Sequence, residues 1–182
     1  MSRIQPVDPP YADATQKLFD LAMPEGMEPL ELFRVMARSE RILPRFMRAG
    51  VLDRGPVPIR DREVVIHRTT ARCDAEYEWG VHVSAFGRPL ELGEEVLRAI
   101  VKGDADDPAF DDRQKALVRL CDELHDTSTL SDEAWAGLAE HFDELQILEL
   151  IYTVGMYHSV SFLVNGLDLA NEAFGARFAE YD

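Results

Sequence analysis

The chain has 182 residues, with 34 acidic against 19 basic side chains and a formal net charge of −15. That length suits one domain with a real core, and 46% hydrophobic with 29% charged residues is the balance of an ordinary globular protein rather than a disordered one. So acidic a surface repels phosphate backbones and anionic lipid, which argues against nucleic acid or a membrane as partner.

The first residues, MSRIQPVDPPYADA, carry no apolar run after their single Arg and do not read as a signal peptide. No stretch approaches the roughly 18 uninterrupted apolar residues of a membrane helix. Cys73 and Cys121 stand far apart, and free cysteines suit a reducing cytoplasm, the location expected here.

Pro6, Pro9 and Pro10 make the start an extended lead-in. From Tyr11 the pattern is helical, with Leu18, Leu21 and Ala22 on one stripe and a stop at Pro24 and Gly26. Residues 1–27 are thus a lead-in and helix, and 28–182 the main helical body of a single compact domain. Leu30, Phe33, Met36 and Ala37 form a second stripe, continued by Ile42, Phe46 and Met47 up to Asp53-Arg54-Gly55-Pro56. A helix opening at Arg60 or Asp61 carries Val64, Val65 and Ile66; Asp74 interrupts it, and a further helical segment runs to Phe86-Gly87. Another spans about Glu91 to Val101, closed by Gly103. Asp111 caps a helix bearing Ala116, Leu117, Leu120 and Leu124, and Ser131 and Asp143 are N-cap candidates for the last two, Asp143 forming a capping box with Gln146. The apolar run from Leu145 to Ala173 is long enough to be a buried central helix. With no period-2 alternation, the class is all-α.

That last run is apolar nearly all round (Ile147, Leu148, Leu150, Ile151, Val154, Val160, Phe162, Leu163, Val164). Such a helix must be buried nearly all round. In so small a chain a partner subunit is the expected cover, so a homo-oligomer is expected.

Chemistry concentrates in Arg72-Cys73-Asp74-Ala75-Glu76-Tyr77-Glu78-Trp79-Gly80-Val81-His82. With Asp74 as N-cap, Glu78 and His82 fall four apart on one helical face. A carboxylate so placed orients an imidazole for acid/base work, with Tyr77 as a neighbouring donor. The same spacing also makes an ordinary surface ion pair, and Trp79 an ordinary core residue. His67, His82, His125, His141 and His158 show no His-x-x-x-His spacing and the cysteines no Cys-x-x-Cys, so a metal site would have to assemble from distant segments and none is expected. Nucleotide loops and a Gly-x-Ser-x-Gly elbow are absent too, and no cofactor is expected.

Arg62-Glu63-Val64-Val65-Ile66 followed by Glu76-Tyr77-Glu78-Trp79 and His82 resembles the core of the carboxymuconolactone decarboxylase family, within the alkylhydroperoxidase D-like superfamily. The resemblance covers about residues 28–170, including Tyr152 to Asn165, and implies an alkylhydroperoxidase D-like helical bundle. In the peroxidase branch the active helix carries Cys-x-x-Cys-x-x-x-His. Matched to that motif, the histidine falls on His82, a tyrosine on Tyr77 and a helix glutamate on Glu63, while the two cysteine positions fall on Ala75 and Glu78. Without that pair, disulfide exchange has no partners, and Cys73, just outside the motif, is the one redox candidate. The decarboxylase branch dispenses with the cysteines. The resemblance to it implies an acid/base enzyme for a small carboxylated or lactone metabolite of aromatic-compound breakdown. His82 would be the acid/base, oriented by Glu78 or Glu63, with Tyr77 donating a hydrogen bond. Arg72 or Arg68 would hold the substrate carboxylate, with Trp79 and His158 beside it. A peroxidase acting through Cys73 and a non-catalytic, ligand-binding helical oligomer are the alternatives.

Overall fold

The computed structural model describes residues 2–50 and 52–181. Nine α-helices follow one another among them: α1 (Asp13–Ala22), α2 (Glu31–Met36), α3 (Leu43–Ala49), α4 (Ile59–Arg72), α5 (Glu76–His82), α6 (Glu94–Lys102), α7 (Asp112–Thr127), α8 (Asp132–Ala139) and α9 (Glu144–Gly166). A π-helical turn, Val83–Gly87, extends α5, and a 3₁₀ turn, Phe178–Tyr181, closes the chain. No strand occurs among the described residues, and the fold is all-α.

The centre of the fold is α4, not the apolar α9. Ten consecutive residues of α4, Asp61 to Thr70, are buried, because α5, α6, α7 and α9 pack around it. Its polar sequence disguises this. The buried charges are matched one by one: Asp61 accepts a bidentate pair from Arg113, which also lies 4.0 Å over the Phe142 ring, and Arg68 donates to both oxygens of Asp122 at 2.7 Å and to the carbonyls of Ile100 and Gly103. Breaking such a pair strands a buried charge, so the polar stripe fixes where α7 sits on α4 as firmly as the apolar core does.

Local chemistry explains the helix ends. Asp111 with Gln114 and Asp143 with Gln146 form capping boxes on α7 and α9, and the Ser131 hydroxyl accepts from the Ala134 amide to cap α8. Asp74 does not cap α5. Its φ of 52° is left-handed, and its amide bonds to Ala71 O while that of Ala75 bonds to Thr70 O. These two bonds are a Schellman closure of α4, leaving Ala75 to start α5 without a side-chain cap. The sixth helix begins at Glu94 rather than Glu91, since Glu91 and Gly93 both take positive φ in the turn before it.

The last helix ends at Gly166, well short of Ala173. Beyond it the chain turns back over α5: Glu76 accepts from Asn171 Nδ2 and the Phe178 amide, and Ala176 N–H donates to Gly80 O at 3.1 Å. Gly80 permits that approach, since a Cβ there would stand 2.3 Å from Ala176 O. Within the chain α9 is buried on one face only. Its opposite face exposes Leu145, Leu148, Tyr152 and Phe162.

Residues 1–27 share the core of the main body. Phe19 is 1% exposed in a cluster with Leu30, Leu32, Ile66, Tyr77 and Tyr157. A second cluster lies between α4, α6, α7 and α9, around Val65, Leu117, Leu120 and Leu150.

Candidate active site

Two buried helices bring the acid/base groups together. Glu63 comes from the middle of α4 and is fully buried; His82 ends α5 and is 3% exposed. Glu63 Oε2 accepts from His82 Nδ1 at 2.8 Å. On the other side of the imidazole, Nε2 lies 3.1 Å from the hydroxyl of Tyr157 on α9 and 3.4 Å from Glu78 Oε1, one helical turn back on α5. Phe86, in the π-helical turn, stacks on the imidazole at 5.2 Å between ring centroids. Arg62 Nε stands 3.6 Å from the other Glu63 oxygen.

Burial alone would drive His82 toward its neutral form, but the Glu63 charge and hydrogen bond, with Glu78 behind them, outweigh it and raise its pKa to about 9. The converse holds for Glu63: burial favours the neutral acid, and His82, His67 and Arg62 overcome it and lower the pKa. At neutral pH the pair is therefore imidazolium and carboxylate, and His82 rests as an acid. His67, one turn after Glu63, behaves oppositely. Its Nδ1 bonds to the Glu63 carbonyl, and complete burial drops its pKa to about 4, leaving it neutral.

The cluster opens into a cleft of about 820 Å³. Glu78, His82 and Tyr157 supply polar groups to its wall, and the rest of the lining is mostly apolar, including Met27, Phe33, Met47, Phe86 and Met156. Leu21, Met23 and Met27 come from the N-terminal segment, which thus builds part of the cleft. Arg48 is a cation of the lining, on an exposed position. Glu78 Oε2 is buried without a hydrogen-bond partner among the described residues.

Other expected site residues lie elsewhere. Tyr77 does not reach His82: its hydroxyl donates to Glu172 Oε1 at 2.6 Å and accepts from the Leu32 amide, and burial with Glu172 holds the phenol far above its ordinary pKa. Tyr157 takes the place expected of Tyr77. Arg68 is consumed by Asp122, and Arg72 pairs with Asp122 and Asp126 at the surface. Neither lines the cleft, so neither holds a substrate carboxylate there. Trp79 is fully buried against Phe178 and Tyr181, at 4.9 and 5.3 Å, and is core. His158 faces His125 and Cys73 rather than His82. Burial pushes the Cys73 thiol up, outweighing Ser161 and Arg72, so it lacks the lowered pKa that sulfenic-acid chemistry favours. Cys121 is wholly buried and pushed up to about 12.

The two buried histidines set the pH dependence of stability. The raised pKa of His82 contributes stability that is complete below the unfolded value near 6.5 and is lost as pH rises through about 9. The lowered pKa of His67 contributes stability present above about 6.5 and lost as pH falls through about 4. Stability against urea should therefore peak at roughly pH 6–7 and fall by about 3 kcal/mol toward pH 9. His82→Gln should flatten that alkaline limb; an unchanged limb in the variant would contradict the assignment.

No protein-family model matches the sequence, and no curated protein matches it. Solved structures do. A peroxidase-related protein from Silicibacter sp. TM1040 superposes with a TM-score of 0.79 at 18% identity, covering 97% of this chain and 96% of that one. An alkylhydroperoxidase AhpD core, a peroxidase-related protein from Ralstonia eutropha JMP134, gives 0.76 at 17%, covering 94% and 93%. A debrominase in complex with 2,3,4-tribromopyrrole gives 0.72 at 12%, covering 96% and 94%. At these identities the likeness speaks to architecture, and the architecture is the alkylhydroperoxidase D-like fold.

Proposed function

We propose that this chain is an acid/base enzyme of the carboxymuconolactone decarboxylase kind, acting on a small carboxylated lactone or similar metabolite. The observation that carries the reading is His82, held as an imidazolium by Glu63 in the wall of a mostly apolar cleft, with Glu78 and Tyr157 at its Nε2. The thiol route has less support, because neither cysteine lines that cleft.

In the decarboxylation, the C–C bond to the substrate carboxylate breaks and its electron pair enters the conjugated lactone. His82 Nε2–H gives its proton to carbon, and water restores it. Glu63 stabilises the imidazolium and keeps its orientation, and Tyr157 and Glu78 hold the Nε2 side. Apolar walls favour the step, since a localised carboxylate charge becomes a dispersed one. The acidic floor repels the substrate carboxylate, so that group points to the rim, where Arg48 is the cation that meets it.

Release of carbon dioxide from a panel of carboxylated lactones tests this. Wild type should turn over at least one of them with a rate that holds to about pH 9 and falls above it. His82→Asn should lose about 10²–10⁴-fold in kcat while remaining folded. Full activity in that variant, or no turnover of any lactone by wild type, would contradict the reading.

We also infer that the exposed face of α9 is covered by a second copy of the chain. Leu145, Leu148, Tyr152, Gly155, Ser159 and Phe162 alternate by three and four along one line, the spacing of a helix–helix seam. Light scattering should give a multiple of the chain mass for wild type and a lower mass for Leu148→Glu/Phe162→Glu. A monomeric wild type, or a double variant of unchanged mass, would contradict this.

A further inference from the structure

Where the C-terminus of α4 meets α7 and α9, outside the cleft lining, Cys73, His125 and His158 turn three donor atoms toward one point. His125 Nδ1 is 3.1 Å from His158 Nε2 and 3.8 Å from Cys73 Sγ, and all three atoms lie within 4.8 Å of one another. Each residue is half-buried. Around a tetrahedral zinc-type ion, with bonds of roughly 2.0 Å to nitrogen and about 2.3 Å to sulfur, two nitrogens stand roughly 3.4 Å apart and nitrogen and sulfur roughly 3.6 Å. The two short separations here match those edges to within about 0.3 Å.

The surroundings fit the same chemistry. His158 Nδ1 donates to the Val154 carbonyl at 2.9 Å, which leaves the lone pair on Nε2, the atom turned to the cluster. A backbone carbonyl fixing the tautomer of an imidazole is the usual support for a ligating histidine. The Cys73 carbonyl accepts from Asn165 Nδ2 at 2.8 Å, so α9 also holds the residue that carries the thiol. Asp122 and Asp126 are paired with Arg68 and Arg72 and do not compete for the site.

We propose that Cys73, His125 and His158 form a binding site for one divalent transition-metal ion of the zinc type, with water in the fourth position. One thiolate and two imidazoles select a borderline-soft cation over magnesium or calcium, which prefer oxygen donors. Binding sends the thiol proton to solvent and leaves the Nδ1 lone pair of His125 on the metal. The ion would pin the C-terminal ends of α4 and α7 to α9 at the residue next to Tyr157. The site does not depend on the acid/base reading of the cleft.

Cobalt(II) is the probe. Reduced protein titrated with it should bind one equivalent, with a thiolate-to-cobalt charge-transfer absorption and the intense visible bands of a tetrahedral centre, both displaced by zinc(II). Cys73→Ser should abolish the charge-transfer absorption, and His125→Gln should weaken binding by at least about 10-fold. Cys121→Ser, which touches the other thiol, should leave both signals unchanged. Absence of the charge-transfer absorption in wild type, or its survival in Cys73→Ser, would overturn the proposal.

Discussion

The structure turns on one ion pair in the middle of the protein, Glu63 with His82. A carboxylate with no exposed surface is tolerable only because an imidazolium donates to it at 2.8 Å and a guanidinium stands near its second oxygen. Removing either member of such a pair leaves an uncompensated charge where water cannot reach, at a cost of about 3–5 kcal/mol. The pair therefore requires α5 to sit on α4 at one particular place, and the rest of the bundle is arranged to keep it there. Tyr157 brings α9 to the free side of the imidazole, the π-helical turn lays Phe86 on its face, and the C-terminal segment straps α5 through Glu76 and Gly80.

The same constraint decides what the cleft can do. The helix that carries Glu78 and His82 offers the cleft a carboxylate and an imidazolium. Those two groups suit proton transfer. Walls of methionine, phenylalanine and leucine drawn from the N-terminal segment, α2, α3, the π-helical turn and α9 lower the local dielectric, which strengthens the hold of Glu63 on His82.

The all-helical class and most helix ends were legible because capping boxes and turn residues are local signals. Glu78 and His82 were legible for the same reason, since a spacing of four puts them on one face. Glu63 came from the motif resemblance. What the sequence hid was long-range. The burial of the charged residues of α4 could not be read from its sequence, because Asp61 and Arg68 are matched by Arg113 and Asp122, more than 50 positions away. Tyr157 was missed in favour of its neighbour His158, although one position on a helix is about 100° of rotation and sends the two side chains to different sites. Arg68, Arg72 and Trp79 lie close in sequence to the site residues but on other faces, where Asp122, Asp126 and the C-terminal aromatics claim them.

The most direct measurement is a titration of the His82 ring by NMR, in wild type and in Glu63→Gln. The buried pair predicts an imidazolium that persists to about pH 9 in wild type and titrates well below that once the carboxylate becomes an amide. A His82 that titrates near 6.5 in wild type, or at the same pH in both proteins, would contradict the account at its centre.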